Sequence, residues 1–114
     1  MPFIQTKTSA KVTKEQEAQL VSALNEAITL IPGKTSRYLM LNLIDECRMA
    51  FGGTSEPDIA MVEVEILGTA SNSAFDALTE RICKVLNEII GVRQDRIFVK
   101  YREVEHWGFN GYNF

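Results

Sequence analysis

Few residues in this chain have the type and placement to do chemistry, and the second is the most unusual. Pro2 follows the initiator methionine directly, in MPFIQT. Methionine ahead of a small residue is commonly trimmed, which would leave proline as a free secondary amine. Such an amine is a base only while neutral. An ordinary α-amino group titrates at about 7.7–8.0, and burial or a neighbouring cation disfavours the ammonium form. A terminal proline in an apolar pocket beside a lysine would therefore act as a general base near neutral pH. Pro2 also has a plainer use, since a strand loses little by opening on a residue without an N–H. On residue type and spacing alone, the strand opener is the simpler reading.

The other candidates carry weaker signals. Glu63 and Glu65 share a strand face and could pair as acid and base, but that spacing more often marks a solvated or interface face. His106 is the lone histidine and reads as structural or exposed. Cys47 and Cys83 lie far apart with no C-x-x-C pattern, so reduced thiols are expected and a metal site is not. Gly52-Gly53 is too short to signal a phosphate cradle, and no dinucleotide, P-loop, zincin or serine-hydrolase motif is present. A net charge of −3 lacks the basic stripe of a nucleic-acid binder. The start shows no signal-peptide pattern, and no apolar run approaches the roughly 18 residues of a membrane span. A cytoplasmic protein with no cofactor is expected.

The elements that must position these groups follow from patterning. At 114 residues, one domain (1–114) is expected. Pro2 to Ser9 leans to strand. Thr13 and Gln16 form a capping box ahead of a helical stripe at Val21, Leu24, Ile28 and Ile31, stopped by Pro32-Gly33. Tyr38 to Asp45 is apolar on both faces and reads as a central strand. FGGTSEPD is a loop. Ile59 to Leu67 alternates, with Val62, Val64 and Ile66 opposite Glu63 and Glu65. Ser71 to Ser73 can cap a second helix carrying Phe75, Leu78, Ile82, Val85 and Ile89, with Gly91 past its end. Arg96 to Val104 is a last long strand, followed by the aromatic tail HWGFNGYNF.

The order β-α-β, loop, β-α-β repeats one plan twice. Right-handed crossovers would place two parallel strand pairs in one four-stranded mixed sheet with both helices on one face. That is a two-layer α/β (α+β) sandwich of βαββαβ type. Its other face and its edges need cover, so an oligomer is expected, with the tail pairing onto a neighbouring subunit.

Taken together, several stretches resemble the macrophage migration inhibitory factor family of the tautomerase superfamily. These are Met1-Pro2, Gly33-Lys34, the block from Met49 to Pro57 (MAFGGTSEP), Asp95 to Val99 (DRIFV), and Trp107 to Gly111 with the final Phe114. The resemblance runs along the whole chain in order. It implies a homotrimer with active sites at subunit boundaries, and a cofactor-free keto–enol tautomerase in which Pro2 is the base. Its substrate would be a small aromatic α-keto acid of phenylpyruvate type or a related enol. Lys34 and the backbone N–H of Ile66 would hold the carboxylate, with a one-residue ambiguity against Leu67. Tyr38, Phe98, Lys100, Trp107 and Phe109 would complete the substrate site.

Some positions depart from the mammalian pattern. Phe98 keeps an aromatic wall without the hydroxyl of a tyrosine, and Lys100 replaces an asparagine. Lys100 would strengthen carboxylate binding, favour a more acidic substrate, or point outward. Asp58-Ile59-Ala60-Met61 stands where those members carry C-x-x-C, so thiol oxidoreduction is not expected. The resemblance equally implies an alternative: a cytokine-like signalling or receptor-binding protein with minor turnover, exported without a signal peptide. Sister activities on a dopachrome-like compound or a haloacrylate would use the same proline.

Overall fold

The computed structural model describes every residue from Met1 to Phe114. Strand β1 (Pro2–Thr8) alternates strictly, burying Pro2, Ile4, Thr6 and Thr8 and leaving Phe3, Gln5 and Lys7 half-buried. Helix α1 (Lys14–Ala27) starts at the expected capping box. The Gln16 N–H donates to Thr13 Oγ1 at 3.1 Å, and the Thr13 N–H donates to Gln16 Oε1 at 2.9 Å. The apolar stripe differs by one position from the sequence expectation. Leu20, Leu24 and Ala27 face the core at i, i+4 and i+7, whereas Val21 sits on the flank and is 42% exposed. The last turn tightens to 3₁₀ over Ile28–Leu30, which still carries Ile28 and Ile31 inward.

Strand β2 (Met40–Ile44) is shorter than expected and lies at an edge of the sheet, not its centre. Its two apolar faces had suggested burial on both sides. Leu39, Leu41 and Leu43 do pack on the core, but Met40 and Ile44 stand on the open face, with Met40 67% exposed. Tyr38 precedes the strand in a single 3₁₀ turn, Ser36–Tyr38.

Strand β3 (Ala60–Leu67) and helix α2 (Asn72–Ile90) follow the pattern read from the sequence. Ser71 Oγ accepts the Ala74 N–H at 3.2 Å, and the Gly91 N–H closes α2 on the Asn87 carbonyl at 3.1 Å. Leu78, Ile82 and Leu86 are fully buried between the layers, each such side chain contributing about 1.5–3 kcal/mol. Strand β4 (Ile97–Val104) completes the sheet in the order β2-β1-β3-β4. The pairs β1–β2 and β3–β4 are parallel, and β1–β3 is the antiparallel seam. Both helices join the inner face of β1 and β3 in one core, giving the expected two-layer βαββαβ sandwich.

The opposite face of the sheet carries cross-strand rows without a helical cover. They run Met40–Phe3–Glu65–Arg102, Asn42–Gln5–Glu63–Lys100 and Ile44–Lys7–Met61–Phe98. Within the single chain the tail closes on itself. Short strands β5 (Gly108–Phe109) and β6 (Tyr112–Asn113) form a hairpin. Asn110 and Gly111 turn it with φ of 53° and 93°, the two left-handed positions of a tight hairpin turn.

Candidate active site

The site begins at the seam of the sheet. Pro2 pairs with Ile66 across β1 and β3, and the Leu67 N–H donates to the Met1 carbonyl at 3.0 Å. That bond makes Pro2–Ile66 a non-hydrogen-bonded pair, so the ladder asks no N–H of the proline. The strand-opening reading of Pro2 is therefore satisfied. Its ring is fully buried.

Lys34 follows the turn at Gly33 and reaches the same end of the seam. Its Nζ donates to the Leu67 carbonyl at 2.7 Å. The chain-start amine on Met1 lies beside it and is held below the ordinary α-amino range. Burial is the larger cause, the Lys34 charge comes second, and a hydrogen bond with Lys34 adds to both. While Met1 is attached, the Pro2 nitrogen is an amide. Loss of Met1 would turn it into the amine and release the Leu67 N–H.

In front of Pro2 lies an open cleft of about 780 Å³, within the usual small-molecule range of about 300–1,000 Å³. Met1, Pro2 and Phe3 form one side, Arg37 to Met40 a second, and Val104 with His106 to Phe109 a third; Glu65 also lines it. Tyr38 meets Phe109 edge to face, with ring centroids 5.5 Å apart, and Phe109 stacks on Phe114 at 6.1 Å. The Phe114 N–H donates to the Trp107 carbonyl at 3.0 Å, so the hairpin holds its own aromatic wall.

Of the residues named from the sequence, Pro2, Tyr38, Trp107 and Phe109 share this cleft, and Lys34 flanks the amine. Ile66 does not present its amide there. Its side chain is in the core, and alternation along β3 turns its N–H toward β4, because the Leu67 N–H and carbonyl both face the β1 side. Phe98 and Lys100 are also elsewhere in the single chain. Glu103 is the β4 partner of Ile66, and Phe98 lies five residues before it, about 17 Å along the strand at roughly 3.3 Å per residue. Phe98 packs on Phe51, with centroids 4.8 Å apart. Lys100 stands 3.9 Å from Glu63 on the open face.

That ion pair also separates the two glutamates considered as an acid/base couple, since Glu65 alone lines the cleft. His106 is exposed at the cleft, in keeping with its bland reading. Arg37 was missed. Its guanidinium lies 5.3 Å over the Tyr38 ring with no carboxylate in contact. A cation beside Tyr38 in the turn after Gly33-Lys34 was the available signal. No group of three or more His, Cys, Asp or Glu side chains converges as a metal site would.

The family model described as macrophage migration inhibitory factor matches residues 1–114. Macrophage migration inhibitory factor from Meriones unguiculatus is 23% identical over 116 residues, covering 100% of this chain and 99% of that protein. D-dopachrome decarboxylase-B from Xenopus laevis is 27% identical over 115 residues, covering 97% and 95%. The crystal structure of Leishmania major MIF2 superposes with a TM-score of 0.93 at 31% identity, covering 100% of this chain and 97% of that one.

Proposed function

The chain belongs to the macrophage migration inhibitory factor family, and on that premise we propose that it is a cofactor-free keto–enol tautomerase whose base is the amine of Pro2. The observation that carries this reading is the environment of Met1 and Pro2. A buried proline lies in a cleft of small-molecule size, and the amine next to it is already held neutral more readily than usual by burial and Lys34.

In this reading Met1 is removed, and the Pro2 amine inherits that environment. The substrate is a small aromatic α-keto acid of phenylpyruvate type. Its carboxylate replaces the Met1 carbonyl on the Leu67 N–H and meets Lys34 in a charge-assisted bond. Leu67 is favoured over Ile66 for this role because its amide already donates toward the Pro2 side. Neutral Pro2 then takes the proton from the carbon next to the ketone. The C–H electron pair becomes the new C=C bond, the C=O π pair moves to oxygen, and that oxygen takes a proton from solvent water as the enol forms. Ketonisation runs the same path in reverse, with the Pro2 ammonium returning its proton to carbon. Tyr38, Trp107 and Phe109 offer the aromatic ring a matching surface.

The same amine would serve a dopachrome-like substrate, as the name of the Xenopus laevis relative suggests. Phe98 and Lys100 enter this reading only if a neighbouring subunit brings them to the cleft, as a homotrimer would. The test pairs mass with turnover. Intact mass is expected to show the chain starting at Pro2, and Pro2→Gly is expected to lower arylpyruvate tautomerisation at least about tenfold. Retained Met1 with full activity, or activity indifferent to the substitution, overturns the mechanism. No turnover at all would favour the alternative of a signalling or receptor-binding protein.

A further inference from the structure

We propose that Arg37 makes this cleft selective for substrates with a second anionic group, a carboxylate or phosphate placed away from the keto acid; the inference rests on the tautomerase reading. Arg37 is the cation on the Tyr38 wall of the cleft, and Lys34 lies behind the proline end of it, bonded to the Leu67 carbonyl beside the chain-start amine. A substrate with one carboxylate, held next to the reacting carbon, engages Lys34 and leaves Arg37 without a task.

Arg37 is also presented rather than loose. Its guanidinium lies 5.3 Å over the Tyr38 ring, Tyr38 is braced edge to face by Phe109, and Phe109 stacks on Phe114. A cation resting over a ring face keeps its fork of N–H donors available to a ligand. No side-chain carboxylate within the chain takes up that fork. A planar fork with unused donors fits a carboxylate or phosphate in two parallel bonds.

The acid in the cleft narrows the position. Glu65 lines the cleft and disfavours an anion set directly against it, whereas Arg37 makes the Tyr38 wall the cationic one.

The test compares phenylpyruvate, 4-carboxyphenylpyruvate and its neutral isostere 4-carbamoylphenylpyruvate on the mature protein. The expected kcat/KM ratio of carboxylate to carbamoyl substrate is about tenfold or more, expressed mainly in KM and shrinking as salt rises. Arg37→Gln is expected to bring that ratio near one. Turnover of these compounds with a native ratio near one, or with a ratio that Arg37→Gln leaves intact, overturns the inference alone. Absence of turnover for all of them overturns the tautomerase reading and the inference with it. A phosphonate in place of the ring carboxylate then tells which anion the fork prefers.

Discussion

With a neutral amine as the base, turnover rises with pH, and the position of the rise measures what surrounds Pro2. Burial and Lys34 both disfavour the ammonium form at the chain start. In the proposed mature chain the Pro2 amine lies at the same end of the seam beside Lys34, so the same causes act on it in the same direction. The rising limb of kcat/KM is therefore expected below the pH at which a free secondary amine titrates. Lys34→Ala removes a cation, so the ammonium form becomes easier and the limb moves to higher pH. The same substitution removes a charge-assisted contact to the carboxylate, worth about 1.5–3 kcal/mol, so KM rises about tenfold or more while kcat falls less. A pH–rate series on both proteins checks this; a limb that does not move would detach Lys34 from the base. At this scale the sequence was informative about identity and poor about direction. Pro2 and Lys34 stand out as types, but which amide of β3 faces them depends on the phase of one strand. The Leu67 N–H bond to Met1 fixes that phase. Arg37 escaped because an exposed arginine in a turn looks like any solvated cation until the fold puts it on a cleft wall.

Elements were legible where their signals are local. The Thr13–Gln16 box, the Ser71 cap and the alternation of β3 each depend on residues within a few positions of one another. The edge position of β2 was not, because it depends on which strand lies next in space. The loop from Phe51 to Pro57 shows a third case. Its Gly52-Gly53 turn is local, with φ of 59° and 84°, but its anchor is distant in sequence. Arg96, just before β4, donates to the carbonyls of Phe51, Thr54 and Pro57 and to Thr54 Oγ1, at 2.9–3.2 Å. It thereby sets Phe51 against Phe98. Arg96→Met keeps the aliphatic stem and leaves those carbonyls to water. Thermal unfolding is expected to show a loss of about 2 kcal/mol, and limited proteolysis to cut within residues 51–57 where the native protein resists. Unchanged stability and an uncut loop would mean that the turn holds itself.

The open sheet face is the largest unsolved demand of the single chain. It carries Met40, Ile44 and Phe98 among charges, with Met40 67% and Phe98 58% exposed, and β2 and β4 both end the sheet with unpaired edges. Exposed apolar groups beside free edges mark an association surface. A closed ring of identical chains would cover both and bring one chain's Phe98 toward another's Pro2, which a single chain keeps apart by about 17 Å along the strand. The expected solution mass is that of three 12.8 kDa chains. A sharper test separates a shared site from a merely crowded one. Pro2→Gly and Phe98→Ala are each expected to be impaired as pure proteins. Denatured together and refolded, they form mixed trimers in which about a quarter of the subunit boundaries pair an intact Pro2 with an intact Phe98. Activity above the sum of the two separate samples then requires the site to span two chains. Mixing that restores nothing, with mixed trimers verified by mass, would place Phe98 outside the site and return the whole of catalysis to the cleft of a single chain.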